Sequence, residues 1–452
     1  MAIIPQPELF SWHQVDAASD LDRLDLVLEA LPDEALMRAL EDERNGHRDD
    51  YPIRAVWNSI LAGVVFGHES AASLRRELRR NGALRARCGF DVFKGAKAVP
   101  PDCVYSRLFT KLFAREALIE AMFDALVDEL HQLLPGFGTR LGIDSKGIDS
   151  HGRPTRHAQA DGRRDTDADW GTKRYHGLRE DGTPWEKIKR WFGYKLHLIV
   201  DTDYELPVAY ELTRASRSDC PQMLPLVEQL AQRHPALLEQ TEYLSGDKGY
   251  DATANNQALW DLYGIRPVLD IRGTWKDEAQ LPRSVHPQRV DTIFYTERGD
   301  VLCRHRDDAE REQDNYTPMV YEGFEADRET LKYRCPAAAK GIPCSQRDLC
   351  NGGWHTEHGR IVRVPLHTDR RIFTPLPRHT KTWQREYKHR TAVERVNSRF
   401  DVSLGFERHY IRGLKKMRLR CGLALLVMLA MAVGRLRQNQ REHLRSLVQP
   451  AA

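Results

Sequence analysis

Residues 192–212, FGYKLHLIVDTDYELPVAYEL, decide the fold. Within them Tyr194, Leu196, Leu198 and Val200 alternate with Lys195, His197 and Ile199, the period of a strand. A polar turn, 201–205, leads to a second apolar run, 206–212, so the stretch predicts a hairpin. Upstream, 139–143 (TRLGI) predicts a short strand ending on Asp144. Downstream, 221–232 predicts a helix, and 242–244 a strand entering Ser245-Gly246-Asp247-Lys248-Gly249-Tyr250. A helix over 252–263 and a strand over 266–271 follow. Strand, hairpin, helix, strand, helix, strand is the grammar of a mixed α/β layer. The polar stretch 150–189, rich in Gly, Asp and Arg, reads as a mobile loop.

Outside this centre the patterns change. Residues 1–135 read as an all-α N-terminal domain, with helical stretches at 20–40, 53–66, 71–80 and 102–134. Residues 272–360 read as a β-rich insertion with hairpin signals at 292–303 and 319–333. Half of the eight cysteines fall there, at Cys303, Cys335, Cys344 and Cys350, which makes them candidate ligands of a structural Zn²⁺. Reduced, unliganded thiols are the other reading, and His305, His355 or His358 could replace one sulfur. A strand over 361–366, a long polar helix over 381–400 and an apolar closing helix over 410–436 complete the core region 136–437. Residues 438–452 read as a frayed tail.

The 452 residues are 41% hydrophobic and 29% charged, which excludes a disordered or low-complexity chain. No basic stretch followed by an apolar one opens the chain, so no secretory signal is expected, and a cytoplasmic, nucleoid-associated protein is. The apolar run 422–434 spans about 20 Å as a helix, too short for a membrane core of about 30 Å, so no membrane partner is expected. Net charge is only +3, but it is segregated. Residues 16–50 hold twelve acids and four bases, residues 75–97 eight bases and two acids, and residues 381–420 twelve bases and four acids. Basic segments of this kind attract nucleic acid, and Arg75, Arg76, Arg79 and Arg80 crowd one short helix.

Three carboxylates stand out by position: Asp144 at one strand end, Asp247 just past another, and Glu394 in the last polar helix. Such groups can share two divalent ions, since hard cations want carboxylate oxygens and keep waters for a phosphate. Tyr387, Arg390, Glu394 and Asp401 follow at spacings of 3, 4 and 7, one helical face. A guanidinium there can fork onto a phosphate beside the carboxylate. Lys248 follows Asp247 and is placed for a phosphate contact. Lys195 and His197 share a strand face and could contact DNA or pack inside, while Trp170 could stack on a base or be an ordinary surface side chain.

These residues match a family. Gly142-Ile143-Asp144-Ser145, Phe192-Gly193-Tyr194-Lys195-Leu196-His197, Gly246-Asp247-Lys248-Gly249-Tyr250 and Tyr387-x2-Arg390-x3-Glu394 together resemble a DDE transposase of the bacterial insertion-sequence type, over roughly residues 50–435. The resemblance implies an RNase H-like mixed sheet core in which Asp144, Asp247 and Glu394 bind two Mg²⁺ or Mn²⁺ ions. It implies cleavage at the element's ends, then transfer of the 3′-hydroxyl into target DNA. The partners implied are double-stranded DNA, as terminal inverted repeats and target, and a second copy of the chain in a homodimeric synaptic complex. The alternatives are a nuclease with the same core and a DNA-binding protein derived from such an enzyme. One departure is visible: Asp401 stands where the family's Y-x2-R-x3-E-x6-K signature has its lysine.

Overall fold

The computed structural model describes residues 20–44, 50–152, 154, 165–179, 181–275, 282–288, 292–305, 315–341, 344, 350 and 359–447. His355 and His358 lie outside them.

The N-terminal region is helical: α1 (Asp22–Ala30), α2 (Glu34–Asp42), α3 (Ile53–Val65), α4 (Ala71–Arg80), α5 (Gly82–Cys88), α6 (Asp102–Phe113) and α7 (Glu116–Leu133). Local chemistry sets the ends. Ser70 caps α4 by accepting from the Ser73 amide at 3.2 Å, and Asn81 caps α5 through the Leu84 amide at 2.9 Å. The helical stretch over 20–40 is interrupted around Pro32, as that proline in its spacing suggests, and the one expected over 102–134 is split at Ala114-Arg115. There the Arg115 guanidinium bonds the Lys111 carbonyl at 3.0 Å and pairs with Glu43 beyond α2, which fixes the turn.

The central sheet has six strands: β1 (Arg140–Asp149), β2 (Asp169–Leu178), β3 (Pro184–Asp201), β4 (Leu206–Arg214), β5 (Tyr243–Gly246) and β6 (Arg266–Leu269). The order β4-β3-β1-β5-β6, with β4, β3 and β1 antiparallel and β1, β5 and β6 parallel, is that of an RNase H-like core. β2 pairs with the outer half of β3, so part of the expected loop 150–189 is a hairpin. Gly193 marks where β3 passes from β2 to β1: a Cβ there would lie 2.1 Å from the Ile148 carbonyl oxygen. Helices α8 (Met223–Arg233), α9 (Pro235–Glu239) and α10 (Thr253–Asp261) link the strands.

Four strands, β7 (Arg283–Ser284), β8 (Ile293–Tyr295), β9 (Val301–His305) and β10 (Asn315–Pro318), form one small antiparallel sheet. A second contains β11 (Val320–Glu325), β12 (Thr330–Arg334) and β13 (Ile361–Pro365), with α11 (Pro336–Lys340) after β12. The strand expected to resume the central sheet at 361 instead pairs with β12. Both small sheets share a second apolar core, including Ile293, Leu331, Tyr333, Val364 and Phe373.

Helices α12 (Lys381–Lys388), α13 (Thr391–Val402) and α14 (Leu414–Arg437) return to the first core. α14 is long and apolar enough to cross a membrane, but 83% of its most apolar window is buried. It packs against α1, α3, α7 and β4, so its Leu, Met and Ala side chains join the N-terminal helices and the sheet in one continuous core. The expected frayed tail is also packed as far as it is described: Leu444 and Leu447 are buried, and Arg23 bonds the Leu447 carbonyl at 2.8 Å.

Candidate active site

The parallel pair β1 and β5 ends its register at Ile143 and Gly246. The next residue on each strand is an aspartate, Asp144 and Asp247, so two carboxylates lie side by side where the strands part. The Asp247 carboxylate accepts the Gly249 amide at 2.8 Å, and Asp144 its neighbour's, Ser145, at 2.7 Å. Burial pushes the Asp144 carboxyl up to about 6, and the charge of Asp247 pushes the same way. Lys173, the Ser145 amide and Arg390 pull in the opposite direction.

Arg390 comes from the other side. The helix expected over 381–400 is two helices joined by a tight turn, in which the Arg390 amide reaches the Tyr387 carbonyl at 3.1 Å. About three residues per turn, instead of 3.6, set position 390 above 387. The guanidinium carbon accordingly sits 5.6 Å from the Tyr387 ring centre, and that ring stacks on Trp383 at 4.7 Å. Arg390 then pairs with Glu394, one turn on, at 2.8 Å. Arg390 thus pairs with Glu394 and lies within electrostatic reach of Asp144.

Among the described residues no three His, Cys, Asp or Glu side chains are gathered as a metal-binding group. The Glu394 carboxylate, half exposed, is turned to Arg390. The donors nonetheless fit a hard divalent ion: two adjacent carboxylates whose charges oppose each other gain from a cation between them.

The remaining predicted residues separate into groups. Lys248 is exposed beside Asp247. Lys195 is a correction: it is buried, pairs with Asp219 at 3.0 Å and bonds the Arg217 carbonyl at 2.6 Å, so its charge is neutralised inside the protein and faces no DNA. His197 beside it is fully buried, bonded to Thr213 at 3.0 Å and pushed down to about 4 by burial, a neutral packing residue. On α4, Arg76, Arg79 and Arg80 are exposed, whereas Arg75 pairs with Asp102 and bonds the Pro100 carbonyl at 2.8 Å, a structural tie between helices. Cys335 is buried, and Cys303, Cys344 and Cys350 are half-buried free thiols. Lys173, which the sequence places with Asp167, Asp169 and Trp170 in a polar loop that could order on DNA, lies on β2, and its Nζ donates to the Ser145 carbonyl at 2.9 Å, next to Asp144.

A family model described as the transposase DDE domain matches residues 140–430, more than half of the chain. No curated protein matches. Among solved structures, the cryo-EM structure of the piggyBac transposase synaptic complex with hairpin DNA is similar at 12% identity, over 97% of this chain and 80% of that one, with a TM-score of 0.37.

Proposed function

The chain belongs to the transposases with a DDE domain, and from that premise we propose that it cuts DNA at the ends of a mobile element and joins the freed 3′-hydroxyl to target DNA. Asp144 and Asp247, adjacent where β1 and β5 part, carry this reading. With Glu394 they would hold two Mg²⁺ or Mn²⁺ ions. Such ions, when bound, activate a water or hydroxyl as nucleophile and stabilise the leaving oxygen.

The chain's own residues prepare the phosphate. The Arg390 guanidinium, held over the Tyr387 ring, offers forked donors to a non-bridging oxygen pair. Glu394, here paired with Arg390, would have to release it to join the ions, and Arg390 would then have those donors for the substrate. Lys248, exposed beside Asp247, adds a point charge on the phosphate chain. Double-stranded DNA is the substrate, and two ends held together imply two copies of the chain.

The test uses a plasmid carrying the DNA that flanks the gene on both sides. The wild-type protein should cleave at the ends in Mg²⁺ and give joined products. Asp144→Asn, Asp247→Asn and Glu394→Gln should each abolish cleavage while DNA binding in Ca²⁺ persists, because these groups act in the transition state. Wild-type cleavage by Glu394→Gln would refute the assignment. Cleavage without joining would place the chain among nucleases, and binding alone among derived DNA-binding proteins.

A further inference from the structure

β3 divides sharply along its length: residues 184–190 are exposed without interruption, and residues 191–201 are buried. With β2 the exposed part forms a two-stranded arm about 23 Å long that leaves the core at Trp191. Trp191 anchors it. A Cβ at Gly171 would lie 2.3 Å from the Trp191 ring, and one at Gly147 of β1 would lie 2.8 Å from it, so the indole fills the space above both glycines. Lys173 ties the arm to β1 at Ser145, one residue from Asp144.

One face of the arm is built unlike an ordinary surface. The register sets Trp170 opposite Phe192, Thr172 opposite Arg190 and Arg174 opposite Ile188, so these side chains share that face. Trp170, Thr172, Arg174 and Arg190 line an open concavity of about 540 Å³. Trp170 is 54% exposed and rests edge-on against Phe192 at 5.7 Å, which fixes the indole and leaves its other side uncovered. Arg174 has only a 3.8 Å exposed contact with Glu186, and Arg190 forms no ion pair among the described residues.

We propose that this concavity binds an unpaired stretch of DNA strand, with a base stacked on Trp170 and its phosphates held by Arg174 and Arg190. The inference rests on the DNA-cleaving reading above and adds the arm to it. An indole offers a flat face to any base, but base faces are covered inside a duplex, so the occupant is unpaired strand. The two guanidiniums suit the phosphates on either side of that base. Lys173 alternates with Thr172 and Arg174 and leaves the opposite face of β2; its bond to Ser145 fixes the arm to the strand that carries Asp144.

The experiment measures anisotropy of two fluorescein-labelled probes in EDTA: a blunt duplex of mixed sequence, and the same duplex with a short single-stranded 3′ overhang. The wild-type protein should prefer the overhang probe by about fivefold or more, the effect of one base stacked on an aromatic ring. Trp170→Ala should lose that preference with blunt-duplex affinity unchanged, and Trp170→Phe should retain most of it. Arg174→Gln with Arg190→Gln should reduce the salt dependence on the overhang probe by about 0.7 log units for each guanidinium removed. A wild-type preference that survives in Trp170→Ala, or no preference in the wild type, overturns the arm's role. If the wild-type protein still cuts element ends in Mg²⁺, only the arm's role falls. Failure to bind either probe, with no cleavage, overturns both readings.

Discussion

Lys146 of β1 reaches across to Asp401 of α13, with Nζ 2.5 Å from the Asp401 carboxylate. Lys146 lies two residues after Asp144 on the same side of β1, and Asp401 seven residues after Glu394 on the same side of α13. The position where the family signature has a lysine therefore holds a carboxylate, and that carboxylate grips a lysine from the neighbouring strand. A cation is present at that end of the site, anchored on the sheet instead of the helix. The Lys146 side chain is only 12% exposed, so the ammonium is largely withdrawn from water, while the Asp401 carboxylate, 32% exposed, keeps contact with it.

Breaking one side of this contact leaves a poorly solvated charge on the other. Asp401→Asn and Lys146→Met should each lower stability, and a double-mutant cycle read by urea unfolding should show coupling of about 1–3 kcal/mol. Exchanging the charges, with Lys146→Asp and Asp401→Lys together, should recover most of the stability forfeited by either single change. Additive single effects would make the contact incidental to the fold.

On α4 the exposed guanidiniums of Arg76 and Arg79 have no ion partner among the described residues, unlike Arg75. If both neutralise phosphates, the dependence of duplex affinity on salt should flatten by about 0.9 log units for each one removed. Arg76→Gln with Arg79→Gln, measured by anisotropy across a salt series, should show this. Arg75→Gln should instead cost stability by loosening α4 from α6. An unchanged slope in the double variant would assign Arg76 and Arg79 to a solvated face.

His234, at the junction of α8 and α9, touches two carboxylates of α7: Asp128 at 2.7 Å and Asp124 at 3.3 Å. Burial lowers its pKa, but the hydrogen bonds and charges of the two aspartates prevail, and the net shift is upward. A group whose pKa is raised on folding adds stability that is complete below its unfolded value, about 6.5, and is lost as pH rises through the folded value. The stability gap between wild type and His234→Asn should thus be largest in mild acid, about 1–3 kcal/mol, and should shrink as pH rises above neutrality. A pH-independent gap in urea unfolding would show that the ring acts by packing alone.

Much of this architecture was legible because its signals are local. The alternation at 194–200 and the turn at 201–205 announce the β3–β4 hairpin, and the aspartates follow the apolar runs of β1 and β5 directly. The arm was hidden because its outer half has no buried face, so no apolar period marks residues 184–190. The pairing of β13 with β12 depends on contacts over some thirty residues of sequence, beyond any local pattern. Lys195 misled for the opposite reason: its strand was evident, but its partner Asp219 lies past the next strand, and only that partner explains a buried ammonium. Asp401 shows the same limit, since a signature read along one helix is silent about Lys146 on a strand.

A zinc ion on the four clustered cysteines requires them to draw together, since among the described residues they do not form a metal-holding group. Cys303 belongs to β9 and Cys335 directly follows β12, so each of the two small sheets carries one of the thiols. The Cys303 thiol is pushed up to about 11, first by burial and then by Cys350, Cys335 and Cys344, so those three lie within electrostatic reach of Cys303. Cys335 is further fixed by its amide bond to the Arg360 carbonyl at 2.8 Å. As neutral thiols the four do not repel one another; Zn²⁺ would displace their protons and join sheets whose own core is small. The sulfurs need only close to tetrahedral geometry with Zn–S bonds of about 2.3 Å. Protein purified under reducing conditions without chelator should contain about one zinc per chain by elemental analysis. Cys335→Ser or Cys303→Ser should lose the metal, and proteolysis should then cut within residues 283–365 while the α/β core stays intact. Zinc-free protein with an equally protected β-rich unit would leave these cysteines as ordinary buried thiols.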